Sequence, residues 1–196
     1  MFLTRIALDT RRPETSRLLA TGDSLRMAVL STFAGGNMQP LFRIDEYGSR
    51  TWLVMLTWLR PTLAALHQAC GYPGVFPSWE TFPLDDLLEA AEEGSRWDFD
   101  LVGAPFGMTD APDPPFTRES LIHYLENVQL ESGFSLIDTE VVSAVPMAIA
   151  CGHMLLVRWR GRLMVTAPDM FRWAMSSGFG AGQDYGAGLM TLDWVY

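Results

Sequence analysis

Gly178-Phe179-Gly180-Ala181-Gly182-Gln183-Asp184-Tyr185-Gly186-Ala187-Gly188-Leu189-Met190-Thr191-Leu192 is the stretch on which the reading of the fold turns. Five glycines fall within eleven residues, after an amphipathic segment and before an apolar strand. Fixing glycine costs more backbone entropy than fixing any other residue, so such a cluster implies positive φ angles or close approach to another backbone. Two readings follow. One is a helix-to-strand connection with glycine caps. The other is an anion cradle built from exposed backbone N–H groups. The spacing fits neither a Walker A motif nor a dinucleotide fingerprint: no G-K-[ST] follows, and the glycines precede a strand and do not open a helix.

Working outward, the 196 residues suffice for one large domain or two small ones, and 48% hydrophobic content argues against disorder. No apolar run reaches membrane-spanning length, and Met1 to Arg5 leads into Asp9 and further arginines without a signal-peptide pattern. A cytoplasmic protein without membrane attachment is expected. Cys70 and Cys151 lack CxxC spacing and are read as buried free thiols. The formal net charge is −9, and all 14 basic residues are arginine. Acidic residues cluster at Asp85-Asp86 and Glu92-Glu93 and recur at Asp98, Asp100, Asp110 and Asp113. That field opposes a polyanionic ligand.

Phe2 to Asp9 reads as a strand and Arg11 to Arg17 as a loop around Pro13. A helix capped at Asp23 or Ser24 runs to Phe33 and stops at Gly35-Gly36-Asn37. Leu41 to Asp45 and Thr51 to Thr57 form a hairpin, Leu63 to Ala69 a short helix, and Gly71 to Pro83 an irregular stretch. Asp85 to Glu93 is helical, and Arg96 to Val102 alternates as a strand with one wet face. Gly103 to Pro115 carries four prolines and is the expected boundary, giving domains 1–106 and 107–196. Thr117 to Ser120 starts a capped helix, Val141 to Ala150 is a strand, and Met154 to Thr166 folds as a hairpin about Gly161. Pro168 to Ser177 is the last helix. Strand, helix, hairpin, helix, strand, used twice, is the βαββαβ plan: an α+β chain of two tandem ferredoxin-like (RRM-like) domains.

The residues alone offer no persuasive active site. His67 and His123 sit on helices and His153 at a strand start, and none lies in an HExxH, GxSxG or paired-carboxylate pattern. Asp98 and Asp100 share a strand face without a third ligand. No metal and no cofactor is expected.

The glycine loop with its neighbours resembles the C-terminal signature of the CasE family, the CRISPR repeat-processing endoribonucleases of type I-E Cascade. The family frame is G-[IV]-G, a short basic segment, then G-x-G-L-[LM]-[ST]-L. Met1 to Leu8 is similar to the family's opening strand, Arg96 to Pro105 to its F-R-L-R-A-N-P strand, and Val157 to Val165 to its F-x-G-x-L-x-V segment. The resemblance spans nearly the whole chain. It implies two tandem ferredoxin-like domains, metal-independent RNA cleavage and contact with a crRNA repeat hairpin.

The functional positions depart from that pattern. Leu25-Arg26 stands where the catalytic histidine follows a hydrophobic residue, and arginine does not accept a proton at neutral pH. By family position the RNA-binding residues are Gly178, Gly180, Gln183, Gly186, Gly188, Asp100 and Val102. Here Gln183, Asp100 and Val102 replace basic residues, and the basic loop of the family corresponds to the acidic Gly107 to Pro115. Losing phosphate contacts, each releasing roughly 0.9 counterions, removes non-specific affinity. The resemblance with these departures implies a non-catalytic CasE-like protein that contacts Cascade subunits, the backbone subunit first. Such a protein would occupy the CasE place beside the backbone subunits, or sequester them and block assembly as a phage-type Cas mimic, an anti-CRISPR. The alternatives are a divergent active endoribonuclease, with Arg26 and a residue such as His67 in altered roles, and an unrelated double ferredoxin-like binding module.

Overall fold

The computed structural model describes residues 1–35, 39–74, 78–110 and 116–194. Strand β1 (Phe2–Leu8) is followed by α1 (Pro13–Leu19) and α2 (Gly22–Leu30). The hairpin β2 (Leu41–Tyr47) and β3 (Arg50–Thr57), then α3 (Ala64–Cys70) and β4 (Trp79–Pro83), complete a four-stranded antiparallel sheet in the order β2-β3-β1-β4. After α4 (Asp85–Ala90), strand β5 (Arg96–Gly103) opens a second sheet. It continues through β6 (Met108–Thr109), α5 (Arg118–Ser132), β7 (Phe134–Ile149), β8 (Gly152–Val165), α6 (Pro168–Ser177) and β9 (Leu189–Trp194). Its four long strands run β7-β8-β5-β9, the order of the first sheet, and the short β6 also pairs with β8. The βαββαβ plan thus occurs twice, as the pattern predicts.

Each sheet buries one face under its helices. In the first, Ile6, Leu8, Phe42, Leu53 and Met55 pack against Leu25, Val29 and Leu66. In the second, Trp97, Phe99, Leu101, Val157 and Trp159 pack against Leu121 and Leu125 of α5 and Phe171 and Met175 of α6. A third cluster joins the two halves: Met1, Leu41, Val54 and Leu56 meet Leu84 and Leu189.

Several expectations need correction. Arg11 to Arg17 is not a loop throughout, because Pro13 sits at the first turn of α1, where its missing N–H costs nothing. Helix α2 is capped by Thr21, whose Oγ1 accepts the Ser24 N–H at 3.2 Å, one turn before the caps expected from sequence. The helix ends at Leu30, and Gly36 and Asn37 of the expected stop lie outside the described residues. Gly71 to Pro83 contains strand β4, which pairs with β1 from Phe2↔Pro83 to Ile6↔Trp79; among the described residues only one side of it is paired, which lets its terminal proline fit. The expected division at 106/107 does not coincide with the change of sheet, since β5 pairs with β8 and β9. Asp113, with the rest of residues 111–115, lies outside the described residues.

The hairpin expected within Met154 to Thr166 is one continuous strand, β8, and its partner is a longer β7 than Val141 to Ala150. Gly161 makes no turn. It lies between Phe99 and Thr139 on its two neighbouring strands, where β7 shifts register between Leu136 and Asp138. A Cβ at Gly161 would overlap the Asp138 carbonyl oxygen and come within 2.8 Å of the Thr139 Cα. The glycine marks a close backbone approach beside a bulge. Gly161→Ala is therefore expected to destabilise the fold by about 1–3 kcal/mol, read as a lower thermal or urea midpoint.

Candidate functional site

The glycine loop leaves α6 at Gly178 and reaches β9 through a single 3-10 turn, Gln183–Tyr185. All five glycines have positive φ, from 72° at Gly180 to 93° at Gly186, as the cluster implies. Space is as restrictive as φ. A Cβ at Gly180 would run into the Tyr124 hydroxyl, and one at Gly182 would sit 2.8 Å from the Met154 Sδ and 3.0 Å from the Ala104 Cβ.

Of the two readings left open for this loop, its hydrogen bonds favour the structural one. Phe179 donates to Gly188 O at 3.0 Å, Tyr185 and Ala187 to Gly182 O at 2.9 and 3.2 Å, and Gly188 to Val102 O on β5 at 2.6 Å. The amides of Phe179, Tyr185, Ala187 and Gly188 are thereby committed within the protein. Phe179, Ala187 and Leu189 are buried beneath.

Helix α2 docks on this loop by its first turn. A Cβ at Gly22 would come 2.9 Å from the Tyr185 ring, and Asp23 Oδ2 accepts the Ala150 N–H at 2.6 Å at the β7–β8 turn. One turn further along, Arg26 Nε donates to Asp184 Oδ1 at 3.2 Å. Both side chains are about half exposed, so this ion pair is worth little in stability. Its meaning is positional: Arg26 and the Gln183-Asp184 turn, separated by most of the chain, face each other. Asp184 faces a cleft of about 540 Å³ that also exposes Trp58 and Trp173.

The other two positions, Asp100 and Val102, lie on β5 and join a second arrangement. Val102 is buried between Arg158 of β8 and Leu189 of β9. Asp100 accepts from Arg158 Nε and Nη2 at 2.7 and 2.8 Å and from Arg160 Nε at 2.7 Å. Burial alone would raise the Asp100 pKa, but the hydrogen bonds from Arg158 and Arg160 and the charge of Arg43 outweigh it and hold the carboxyl below its usual range.

Sequence reasoning missed the centre of this network, Arg43 of β2. Only 3% exposed, it uses all five N–H donors. Nε and Nη2 grip Asp45 at 2.9 and 3.0 Å, Nη1 donates to the carbonyls of Asp100 at 2.6 Å and Leu189 at 3.1 Å, and Nη2 also reaches Thr191 Oγ1 at 3.0 Å. The signal was present as alternation: Arg43 and Asp45 share a strand face, and Asp98 and Asp100 stand opposite Arg162 and Arg160 in register. The resulting cleft, about 640 Å³, is lined by Arg5, Arg43, Arg158, Arg160 and Arg162 and by Asp45, Glu46, Asp98, Asp100, Asp138 and Asp193. Five guanidinium groups therefore meet six carboxylates, and the cleft has no excess positive charge.

The histidines are scattered. His67 on α3 packs its ring edge on Trp79 at 5.2 Å, His123 on α5 is exposed 3.3 Å from Glu126, and His153 begins β8 opposite Thr109. Cys70 is buried, which raises its thiol pKa, whereas Cys151 is exposed, contrary to expectation, because it sits in the β7–β8 turn. Among the described residues no group of three or more His, Cys, Asp or Glu could hold a metal ion, and no helix is long and apolar enough to cross a membrane.

Arg43→Lys replaces a planar five-donor fork by a single ammonium and is expected to cost about 2 kcal/mol or more, measured by urea unfolding. Asp100→Asn should cost about 2–3 kcal/mol at neutral pH by weakening three charged hydrogen bonds. Because the folded pKa of Asp100 is depressed, its contribution is complete above the ordinary carboxyl pKa of about 3.9 and fades as pH falls through the folded value. The stabilities of the Asp100→Asn variant and the wild type should thus converge below about pH 4.

No curated protein sequence matches the chain. Among solved structures, Thermus thermophilus Cse3 bound to an RNA representing a pre-cleavage complex superposes with a TM-score of 0.80 at 20% identity, covering 98% of each chain. Cas6e from Escherichia coli K-12 gives 0.71 at 14% identity over the whole of both chains. A chain of E. coli Cascade bound to a PAM-containing dsDNA target gives 0.59 at 14%, again over both chains entirely. At these identities the likeness establishes the fold. The model of the CRISPR-associated protein family matches residues 1–193, so the chain belongs to that family, with the CasE (Cse3, Cas6e) architecture that the glycine loop indicated.

Proposed function

We propose that this is a CasE-like protein of type I-E CRISPR-Cas that acts in the cytoplasm by contacts with Cascade subunits and does not cleave RNA. The observation that carries the reading is the Arg26–Asp184 pair. By the family resemblance, Arg26 stands at the catalytic histidine and Asp184 beside the basic position of the glycine loop. Arginine cannot serve as a general base at neutral pH, and the adjoining carboxylate repels a phosphate. The arginine cleft supports the same reading, since each phosphate brought there would compete with carboxylates already paired to the guanidinium groups. The structural relatives include a chain of a Cascade complex, so a preserved fold with this charge pattern suits a subunit-contacting role, with the backbone subunit as first partner. Occupying the CasE place without processing RNA would block assembly, the action of an anti-CRISPR.

One observation favours a second reading, an active endoribonuclease that processes pre-crRNA: the fold follows the RNA-bound Cse3 structure over 98% of its length. The two separate on direct assay. Purified protein with cognate repeat RNA is expected to give neither cleavage product nor gel shift at low salt, and to co-purify with type I-E Cascade subunits. Cleavage would establish the second reading, and absence of subunit binding at micromolar concentration would overturn the first.

A further inference from the structure

The cleft beside the Arg26–Asp184 pair is lined by Trp58 and Trp173, by the buried Leu41, and by Ser177, Gln183 and Asp184. Tryptophan is highly buried on average, yet these two are 62% and 67% exposed. Two such rings left in water forgo the burial that contact with another surface would give, and tryptophans of this kind anchor protein interfaces. Leu59, next to Trp58, and Met170, one turn before Trp173 on α6, are exposed as well and extend the apolar surface.

The charges around the cleft decide the kind of partner. Among the described residues no basic side chain lines it, and Asp184 contributes a carboxylate. The acidic segment of α4 and the turn after it run alongside. Leu41 packs in one apolar cluster with Leu84, at the start of α4, and with Leu87 and Leu88. Arg172, the residue before Trp173, donates to the carbonyls of Leu88 at 2.7 Å and Glu89 at 3.3 Å. Trp58 follows Thr57, which lies opposite Phe2, and the Met1 carbonyl accepts the Leu84 N–H at 3.0 Å. The segment carries Asp85, Asp86, Glu89, Glu92 and Glu93, all exposed; among the described residues only Asp85 is in an ion pair, with the Met1 amine.

RNA would bring phosphates to these carboxylates, and a second copy would bring the same net charge of −9, so both are repelled. A lysine or arginine gains twice, from the carboxylates and from the faces of the tryptophan rings. On the subunit-contacting reading above, we propose that this cleft is the docking surface and that it takes a basic, amphipathic segment of the partner. Apolar side chains of that segment rest on Trp58 and Trp173, and its lysine or arginine residues lie toward Asp184 and the acids of α4.

Two probes separate the surface from the identity of the partner: the purified type I-E backbone subunit, and a short amphipathic peptide of leucine and lysine, with its leucine–glutamate counterpart as control. The full chain should bind the subunit and the lysine peptide and leave the glutamate peptide unbound. Trp58→Ala and Trp173→Ala should each weaken both interactions about tenfold with the melting temperature unchanged, because most of each ring lies in solvent. Glu89→Gln, Glu92→Gln and Glu93→Gln combined should weaken binding and flatten its salt dependence. Subunit binding that both tryptophan variants retain at full strength would overturn this surface and leave the proposed function standing. Tryptophan-dependent binding of the peptide without binding of the subunit would support the surface and overturn the proposed function. Failure of both probes on the wild-type chain would overturn both. Binding of single-stranded RNA, or a dimer in sedimentation, that Trp173→Ala abolishes would give the cleft another occupant and overturn the proposal as well.

Discussion

The two halves of this molecule are held in one arrangement by a buried guanidinium. Arg43 rises from the first sheet and ends on Asp100 and Leu189 carbonyls and the Thr191 hydroxyl of the second, with Asp45 clamped beside it. A buried charge is tolerable only when paired and fully hydrogen-bonded, and here every donor is used. The geometry is demanding in a way that apolar contacts are not. Met1, Leu41, Val54 and Leu56 against Leu189 would allow sliding, whereas three directed bonds to two other strands fix where β5 and β9 lie relative to β2. Two acceptors are main-chain carbonyls, so the lock depends on backbone position more than on the side chains opposite.

That arrangement sets the surroundings of the glycine loop. Leu189, which Arg43 grips by its carbonyl, directly follows Gly188, whose N–H is bonded to Val102 of β5. The loop is therefore anchored at its exit to the same two strands that carry the arginine network. Its interior is filled by Tyr124, Met154 and Ala104, against which only glycine fits. Positive φ and tight packing together leave little room for a change of residue, but neither demands a ligand. The polar positions at the tip are tied down differently: the Gln183 Nε2 donates to Gly180 O at 2.5 Å, and Asp184 pairs with Arg26.

How much of this was legible in the sequence depended on whether the determining interaction was local. The capped start of α5, the alternation of β5 and the positive φ of the loop glycines are short-range, and they read correctly. The errors were tertiary. Gly161 looks like a turn because glycine interrupts an apolar alternation, yet its cause is the Asp138 carbonyl on a neighbouring strand. Strand β4 looks irregular because prolines and aromatics surround it, yet pairing with β1 makes it a strand. The arginine network was spelled out as alternating charges on three strands, but no sequence rule states that β2 faces β5 and β9 across the sheets.

The same network stabilises from within a cleft lined by five arginines. A cleft of unpaired arginines repels itself, and bound phosphate relieves that repulsion. With Asp100 between Arg158 and Arg160, and Asp45 between Arg43 and Arg158, the relief is internal. A phosphate entering this cleft would compete with carboxylates that are already largely buried and paired with guanidinium groups. Internal carboxylates thus tie β2, β5 and β8 to one another. The Arg26–Asp184 contact does likewise at the glycine loop, where a cation and an anion from distant parts of the chain neutralise each other at the surface, so that in both places charge is balanced by residues of the chain itself.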